Sequence, residues 1–166
     1  MNSATRRLPL LTCLIAVSVS ILTSCVHSDS NDFTLIEKHA VITKVDIGEK
    51  GLSKGDQVHI EANVTRNGKD FGVVYGEQSV QALPSDFGRS ADHQVSHSRM
   101  IFKLKDGYII VLGILDSPPS EWRLKPNNSS ASVIVGGTGK YEGARGELIT
   151  KYRSDSIIEY HFSFAK

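Results

Sequence analysis

The sequence predicts a single all-β domain behind an export signal. Apolar and polar residues alternate along most of the chain, which is the period-two pattern of strands. The dipeptides Asn67-Gly68 and Asp106-Gly107 each separate two such segments, where tight hairpins turn. We find no amphipathic helix pattern and no internal repeat. Strands at this spacing are typical of a closed barrel or a sandwich.

The composition limits the class of protein. A chain of 166 residues has the size of one domain and can bury a core without disulfides. With 40% hydrophobic and 22% charged residues, it is neither a disordered chain nor a polytopic membrane protein. The net charge of +1 gives no basic field, so we expect no nucleic-acid partner.

The N-terminus predicts export and lipidation. Two basic residues, Arg6 and Arg7, precede an uncharged and mostly apolar stretch over 8–22, too short to span a membrane stably. Leu22-Thr23-Ser24-Cys25 then resembles the bacterial lipobox. This resemblance implies a diacylglycerol on Cys25, cleavage before it, and a further acyl chain such as palmitate. Several acyl chains anchor a protein stably, whereas one does not. An ordinary secretory signal that contains a cysteine is the alternative.

These signals divide the chain into a lipoprotein signal peptide over 1–24, a lipidated tether over 25–32 and a β-barrel domain over 33–166. Val26 stands where an aspartate is linked with inner-membrane retention, so in a diderm cell we expect the outer membrane, on its periplasmic side or at the surface. Cleavage would also remove Cys13 and leave no cysteine inside the fold, which excludes a disulfide and a thiolate catalyst. We expect no metal site and no cofactor.

The strand pattern places each element in order. The 108–115 segment is apolar throughout, which predicts a strand buried on both faces. Long polar loops are expected over 81–97 and 116–130. Strands are predicted over 33–47, 57–66, 70–80, 98–105, 108–115, 131–135, 147–153 and 157–164.

A glycine-dense segment late in the chain carries a recognisable signature, made by Gly136, Gly137, Gly139, Tyr141 and Gly146. In this segment the chain resembles the allene oxide cyclase and dirigent barrel superfamily. Two upstream motifs fit the same superfamily, Gly55-Asp56-x-Val58 and Phe71-Gly72-x-x-x-Gly76. The resemblance implies an eight-stranded antiparallel barrel of the allene oxide cyclase and dirigent type, which is often a homotrimer.

The site residues of the plant cyclase are not kept. When Asp46 is matched to the aspartate of the first-strand motif, the catalytic glutamate of the family falls on Val41 and its asparagine on Thr43. The remaining family positions fall on apolar or uncharged residues: Ala62, Gln78 and Leu115. We therefore expect no buried carboxylate and no plant-type allene oxide cyclase activity.

The interior of the barrel is the candidate ligand site, with two polar groups, Thr43 and Gln78, in an apolar lining. Trp122 and Arg145 are candidates for its mouth. The expected function is binding of a small apolar or amphipathic ligand. Three alternatives stay open: a core filled by its own side chains, a cyclase or isomerase acting by confinement, and a structural or oligomeric interaction module. The predicted lining consists of Val41, Thr43, Val58, Ile60, Ala62, Val74, Gln78 and Leu115.

Overall fold

A computed structural model describes residues 32–87, 93–119 and 121–166. The predicted signal peptide and nearly all of the predicted tether, residues 1–31, lie outside the described residues. In the described part, no helix is long and apolar enough to cross a membrane. The strands are β1 (Phe33–Lys38), β2 (Val41–Val45), β3 (Gln57–Arg66), β4 (Lys69–Ala82), β5 (Gln94–Leu104), β6 (Gly107–Ser117), β7 (Ser129–Gly137), β8 (Gly146–Ser154) and β9 (Ile157–Phe164).

The nine strands form a closed antiparallel barrel. From β3 to β9 each strand pairs with the next in sequence, and β1 pairs with both β9 and β3, which closes the sheet. β1 and β2 lie one after the other along the same neighbour, β3, so together they make one interrupted strand. The barrel therefore has eight strand positions, and the predicted fold class is confirmed.

The interruption between β1 and β2 reverses which side chains face inward. His39 has a φ of +55°, and the pairing with β3 gains one residue across it: Glu37 lies opposite Val64, but Val41 lies opposite Glu61. Odd-numbered residues of β1 face the interior, whereas odd-numbered residues of β2 face outward. The prediction that Val41 and Thr43 line the lumen is therefore wrong. Both are exposed, and Val41 keeps 68% of its surface accessible.

Two further expectations need correction. β4 ends at Ala82 and β5 begins at Gln94, so residues 81–82 and 94–97 of the predicted 81–97 loop are strand. β6 is not buried on both faces. Its inward residues Ile109 and Val111 are fully buried, but Ile114 on the outer face is 69% exposed. An apolar run thus indicated a strand and did not show whether its outer face was covered.

The two ends of the barrel differ in construction. We call the end with the connections 67–68, 105–106 and 138–145 the turn end, and the opposite end, where β2 joins β3, β4 joins β5, β6 joins β7 and β8 joins β9, the loop end. The half of the interior toward the turn end is an aromatic and aliphatic core. Phe102 packs edge-on against Phe162, with ring centroids 4.9 Å apart, and Phe33 stacks on Phe162 at 4.7 Å.

The glycine signature builds the turn end. A Cβ at Gly137 would lie 2.4 Å from the Tyr141 carbonyl oxygen, and one at Gly146 would lie 2.0 Å from the Ser163 carbonyl oxygen. Only glycine permits these approaches without moving the backbone. The Thr138 amide donates to the Tyr108 carbonyl, which fixes the signature loop against the neighbouring hairpin. The signature is accordingly a packing device of the fold.

The Gly55-Asp56 motif holds the loop that precedes β3. One Asp56 carboxylate oxygen accepts a hydrogen bond from the Ile47 amide at 2.9 Å, and the other accepts one from the Ser53 amide at 2.8 Å. These backbone hydrogen bonds, to Ile47 first and then Ser53, lower the pKa of Asp56. The charged carboxylate therefore stabilises the folded loop.

Candidate functional site

The half of the barrel interior toward the loop end is polar. Small hydroxyl and amide side chains point inward there, among Ile60, Leu115 and the tyrosines Tyr152 and Tyr160. Their backbones are held by the strand ladder, with Gln78 paired to Ser98 and Ser98 to Gly113. This half is a site in which hydrogen-bonding groups are shielded from solvent. The buried polar members are Gln78, Gln94, Ser96, Ser98, Ser117, Ser132 and Thr150.

A buried carboxylate stands at the centre of this region. Glu37, the last inward residue of β1, is 1% exposed. One of its oxygens accepts a short hydrogen bond from the Tyr160 hydroxyl. The other accepts a charge-assisted hydrogen bond at 2.8 Å from the Arg123 guanidinium, whose side chain is 18% exposed. Both oxygens of the carboxylate are thus engaged by groups from different parts of the chain.

Two tyrosines beside this carboxylate are held in the neutral form. Burial raises the pKa of Tyr160 well above its usual range, and the adjacent Glu37 charge and hydrogen bond add to that effect. Burial is also the largest cause of the raised pKa of Tyr152. At neutral pH the Tyr160 hydroxyl is therefore a fixed proton donor to Glu37.

The loop between β6 and β7 supplies the arginine. The Glu121 carbonyl fixes the conformation of this loop by accepting two hydrogen bonds, one from the Ser117 hydroxyl at 2.8 Å and one from the Gln94 side-chain amide at 3.2 Å. Arg123 follows two residues later and reaches inward to Glu37. The loop rejoins the sheet where the Asn127 amide donates to the Tyr152 carbonyl at 2.7 Å. This loop covers the polar half of the lumen.

Small residues leave space beneath the loop. A Cβ at Gly113 would lie 2.3 Å from the Ser132 hydroxyl oxygen and 3.0 Å from that of Ser98, so glycine makes room for both hydroxyls. The resulting cavity measures about 30 Å³. It also reaches Gln78, Thr150 and Tyr160. That volume holds one or two water molecules and is far below the ~300–1,000 Å³ of a typical ligand pocket.

Four buried polar atoms around the lumen have no hydrogen-bond partner among the described residues: Gln78 Oε1, Ser96 Oγ, Arg123 Nε and Thr150 Oγ1. An unmet buried polar group costs ~1–3 kcal/mol, so such groups usually meet water or a ligand. They include an acceptor, a cationic donor and two hydroxyls that can act either way. The lumen is therefore equipped to bind a polar group.

The structure places six of the predicted lining residues on the inward face. Ile60 and Leu115 border the cavity beside Gln78, while Val58, Ala62 and Val74 are buried in the interior. Whether any of them contacts a ligand stays a prediction. Val41 and Thr43 lie outside, as described above.

The expectation that the interior holds no buried carboxylate is wrong, because Glu37 was missed. It shares odd parity with Phe33 and Leu35, and Leu35 is fully buried. This alternation was visible in the sequence. Val41 has the same odd parity, so a strand over 33–47 with Val41 inward already places Glu37 inward. The expectation followed instead from the resemblance, in which the catalytic glutamate of the family falls on Val41. The role of Arg123 gave no sequence signal, since it depends on the path of a loop.

The two mouth candidates lie at opposite ends. Trp122 is half-buried in the loop beside Arg123, where it lines a shallow groove of about 210 Å³ with Asp46 and Asp56. Arg145 is exposed at the turn end and does not border the lumen cavity. No three histidine, cysteine, aspartate or glutamate side chains are grouped as metal ligands in the described parts of the chain.

Comparisons with solved structures identify the fold. The chain is similar to a pyocyanin demethylase, with 20% sequence identity and a TM-score of 0.63, over 81% of this chain and 99% of that one. It is also similar to a nonspecific heme-binding cyclase that catalyses a [4 + 2] cycloaddition during neoabyssomicin biosynthesis. For that cyclase the identity is 14%, the TM-score is 0.61, and the match covers 82% of this chain and 67% of the other.

A third similar structure is the Diels-Alderase AbmU from Streptomyces koyangensis, at 15% identity and a TM-score of 0.60, over 81% of this chain and 64% of AbmU. No protein-family model and no curated protein sequence matches the chain. The chain therefore shares its eight-stranded barrel fold with a demethylase and with cyclases. At these identities the likeness establishes the fold alone.

Proposed function

We propose that this chain is a bacterial lipoprotein of the allene oxide cyclase and dirigent type, whose barrel binds a small amphipathic molecule. The observation that carries the proposal is the set of four unpaired buried polar atoms, three of which belong to residues that line one cavity together with Tyr160: Gln78, Arg123 and Thr150. A polar head group would meet Gln78 Oε1 and Arg123 Nε. Its apolar part would lie against Ile60 and Leu115, which border the same cavity.

The present cavity is too small for such a molecule, so the ligand would enter from the loop end by displacing the Arg123 side chain. That side chain is held by one hydrogen bond to Glu37 and by a long contact of 3.4 Å to the Asp155 carbonyl. A head group that carries an acceptor for the arginine and an O–H or N–H donor for Gln78 Oε1 could replace these contacts. This favours an amphipathic ligand over a wholly apolar one.

Native mass spectrometry of the purified protein tests the binding proposal. We expect a bound small molecule, either retained from the producing cells or captured from a lipid and polyketide library. Gln78→Leu and Thr150→Val remove two unpaired atoms and should reduce occupancy. The matched outer-face variants Gln81→Leu and Thr43→Val should not, because both residues are exposed. No bound molecule, or equal loss in both pairs, would refute the lumen site and favour an interior filled as a core.

Membrane anchoring is tested independently. We propose attachment through acylated Cys25, with the outer membrane as the location in a diderm cell. Labelled palmitate should be incorporated into the full chain and not into a Cys25→Ser variant, and the variant should leave the membrane fraction. Retention of Cys25→Ser in the membrane without label would instead indicate another anchor.

A cyclase or isomerase is the second candidate function, and the Glu37 cluster favours it. A carboxylate fixed by an arginine and a neutral tyrosine can accept and return a proton at one place, and such groups contribute to acid–base catalysis. The barrel can also confine a reactive substrate in one conformation. If a molecule captured by the protein is released with the same mass but altered chromatographic retention, Glu37→Gln should abolish that conversion. Release of the captured molecule in unchanged form would indicate a binding protein and not an enzyme.

Self-association is the third proposal. Ile114 and Val133 stand exposed on the outer faces of the adjacent strands β6 and β7, and Tyr75 is exposed on β4, two strands away from β6. Such a surface suits a second copy of the chain, as in the trimers of the resembled superfamily. Light scattering should give three times the chain mass, and Ile114→Lys with Val133→Lys should give the monomer. A monomeric parent protein would contradict this proposal.

A further inference from the structure

A second and much larger concave site lies at the turn end. This turn-end groove has a volume of about 620 Å³ and is formed by the start of β1, the end of β9 and the signature loop. Its volume falls in the ~300–1,000 Å³ range of small-molecule sites. The aromatic core around Phe162 separates it from the polar half of the lumen.

Three aromatic rings form the floor of the turn-end groove. The ring centroids of Phe33 and Tyr141 are 6.1 Å apart, those of Phe33 and Phe164 are 5.9 Å apart, and those of Tyr141 and Phe164 are 6.3 Å apart. Each ring thus touches the other two. Tyr141 is buried and supports the other two rings, so the apolar surface open to a small group is that of the half-buried Phe33 and Phe164.

The rim of the groove carries an excess of positive charge. Four cations line it, Arg66, Lys140, Arg145 and Lys166, against the carboxylates of Asp32 and Glu142. Within the described residues, none of the four cations has a carboxylate within 4.0 Å, unlike Arg99 or Arg153 on the outer face of the barrel.

The hydrogen bonds and ring contacts of this rim support its excess of positive charge. The Asp32 carboxylate already accepts a hydrogen bond from the Phe164 amide at 3.0 Å. The Arg66 guanidinium lies 4.6 Å from the centroid of Phe33 and 5.5 Å from that of Phe71, which fixes a cation beside the aromatic floor. A cation placed over a ring still has N–H groups free to bind an anion.

We propose that the turn-end groove binds a small amphipathic anion, with its apolar group against Phe164 and the accessible part of Phe33 and its carboxylate or phosphate on the Arg66 and Arg145 rim. The occupant is a small molecule rather than a membrane surface, because the cations surround a concave pocket that has apolar side chains at its base. This site is independent of the lumen proposal, since it shares no residue with that cavity.

Calorimetry on the full chain in phosphatidylcholine nanodiscs tests the site, with empty nanodiscs as the blank. The probe is 4-phenylbutyrate, and 4-phenylbutylammonium has the same ring and the opposite charge. Inorganic phosphate lacks the apolar group. We expect 4-phenylbutyrate to bind one per chain with a Kd in the low millimolar range, as is ordinary for a ligand of about a dozen heavy atoms. The other two probes should bind at least ~10-fold more weakly.

Charge variants locate the binding. Lys140→Gln with Arg145→Gln should weaken 4-phenylbutyrate binding roughly tenfold, because two partly exposed charge contacts are lost. The control is Lys103→Gln with Lys105→Gln, which removes the same charge from exposed positions outside the groove at the same end. The control should bind as the parent does, and 0.5 M salt should weaken the parent's binding.

The emission of Trp122, the single tryptophan, separates this site from the lumen. Because Trp122 lies in the loop beside Arg123 at the opposite end, groove binding should leave its emission unchanged. Three results would each overturn the proposal: equal affinity for the cationic probe, equal losses in the two double variants, or a Trp122 response that accompanies binding. Charge-dependent flotation with phosphatidylglycerol vesicles, without 4-phenylbutyrate binding, would also overturn it and assign the cations to a membrane surface.

Discussion

Removal of Arg123 should destabilise the protein more than neutralisation of its partner Glu37. Glu37 is 1% exposed, so Arg123→Met leaves a carboxylate buried without its cation, at a cost of ~3–5 kcal/mol. Glu37→Gln leaves the arginine, which is 18% exposed and can turn toward solvent, and it keeps a hydrogen-bonding group for Tyr160. Its cost should be about 1–2 kcal/mol.

The double variant gives the sharper test of this reasoning. Glu37→Gln with Arg123→Met leaves neither charge in the lumen, so we expect it to be more stable than Arg123→Met alone. The loss of unfolding free energy in the double variant should be roughly 2–3 kcal/mol smaller than the sum of the losses in the two single variants. Urea unfolding followed by both circular dichroism and Trp122 emission measures all four proteins. Additive losses, or a double variant less stable than Arg123→Met, would refute the assignment of a buried ion pair.

Three other perturbations follow from the geometry. Gly113→Ala should lower the free energy of unfolding by ~1–3 kcal/mol, because its Cβ would lie 2.3 Å from the Ser132 hydroxyl oxygen. Adding Ser132→Ala should recover most of this loss in the same urea assay. If stability does not recover, the contact with Ser132 is not the cause of the loss. Asp56 has a lowered pKa in the folded protein. Its contribution to folding stability is therefore present at pH values above the ordinary aspartate pKa of ~3.9 and is lost as the pH falls through the lower pKa of the folded state. Asp56→Asn should therefore flatten the acid limb of a stability profile between about pH 5 and 2, and an unchanged limb would contradict this. Tyr160 has a raised pKa, so its contribution to folding stability is present below about pH 10 and is lost as the pH rises. Tyr160→Phe should therefore make the protein less sensitive to alkaline unfolding. Equal sensitivity would show that this hydroxyl is not linked to folding.

The barrel was predictable because its determinants are local. Alternation over 57–66 and 157–164 and the Asn67-Gly68 turn fix strands and hairpins from neighbouring residues. The glycine signature was also readable, since Gly137 and Gly146 are required by close backbone approaches within the turn end. The strands and hairpins do not depend on distant parts of the chain, and the glycine pattern is recognisable although Gly137 and Gly146 approach the distant residues Tyr108 and Ser163.

The site was less predictable because it depends on two events that alternation does not reveal. One extra residue at His39 reverses the inward face, so Val41 and Thr43 point outward although Glu37, which has the same parity and precedes His39, points inward. Arg123 then reaches the lumen from a loop 86 positions further along the chain. The sequence predicts an apolar cavity with two polar groups, whereas the lumen in the structure is polar at the loop end and contains a buried ion pair.

A crystal structure of the protein purified from its own membranes tests the central claim most directly. The account predicts electron density for an organic molecule in the loop-end lumen, with a polar group within hydrogen-bond distance of at least two of the atoms Gln78 Oε1, Thr150 Oγ1 and Arg123 Nε. It also predicts that the Arg123 side chain is displaced from Glu37. A lumen that contains only ordered water, with the Arg123–Glu37 hydrogen bond intact in the presence of every captured ligand, would contradict it.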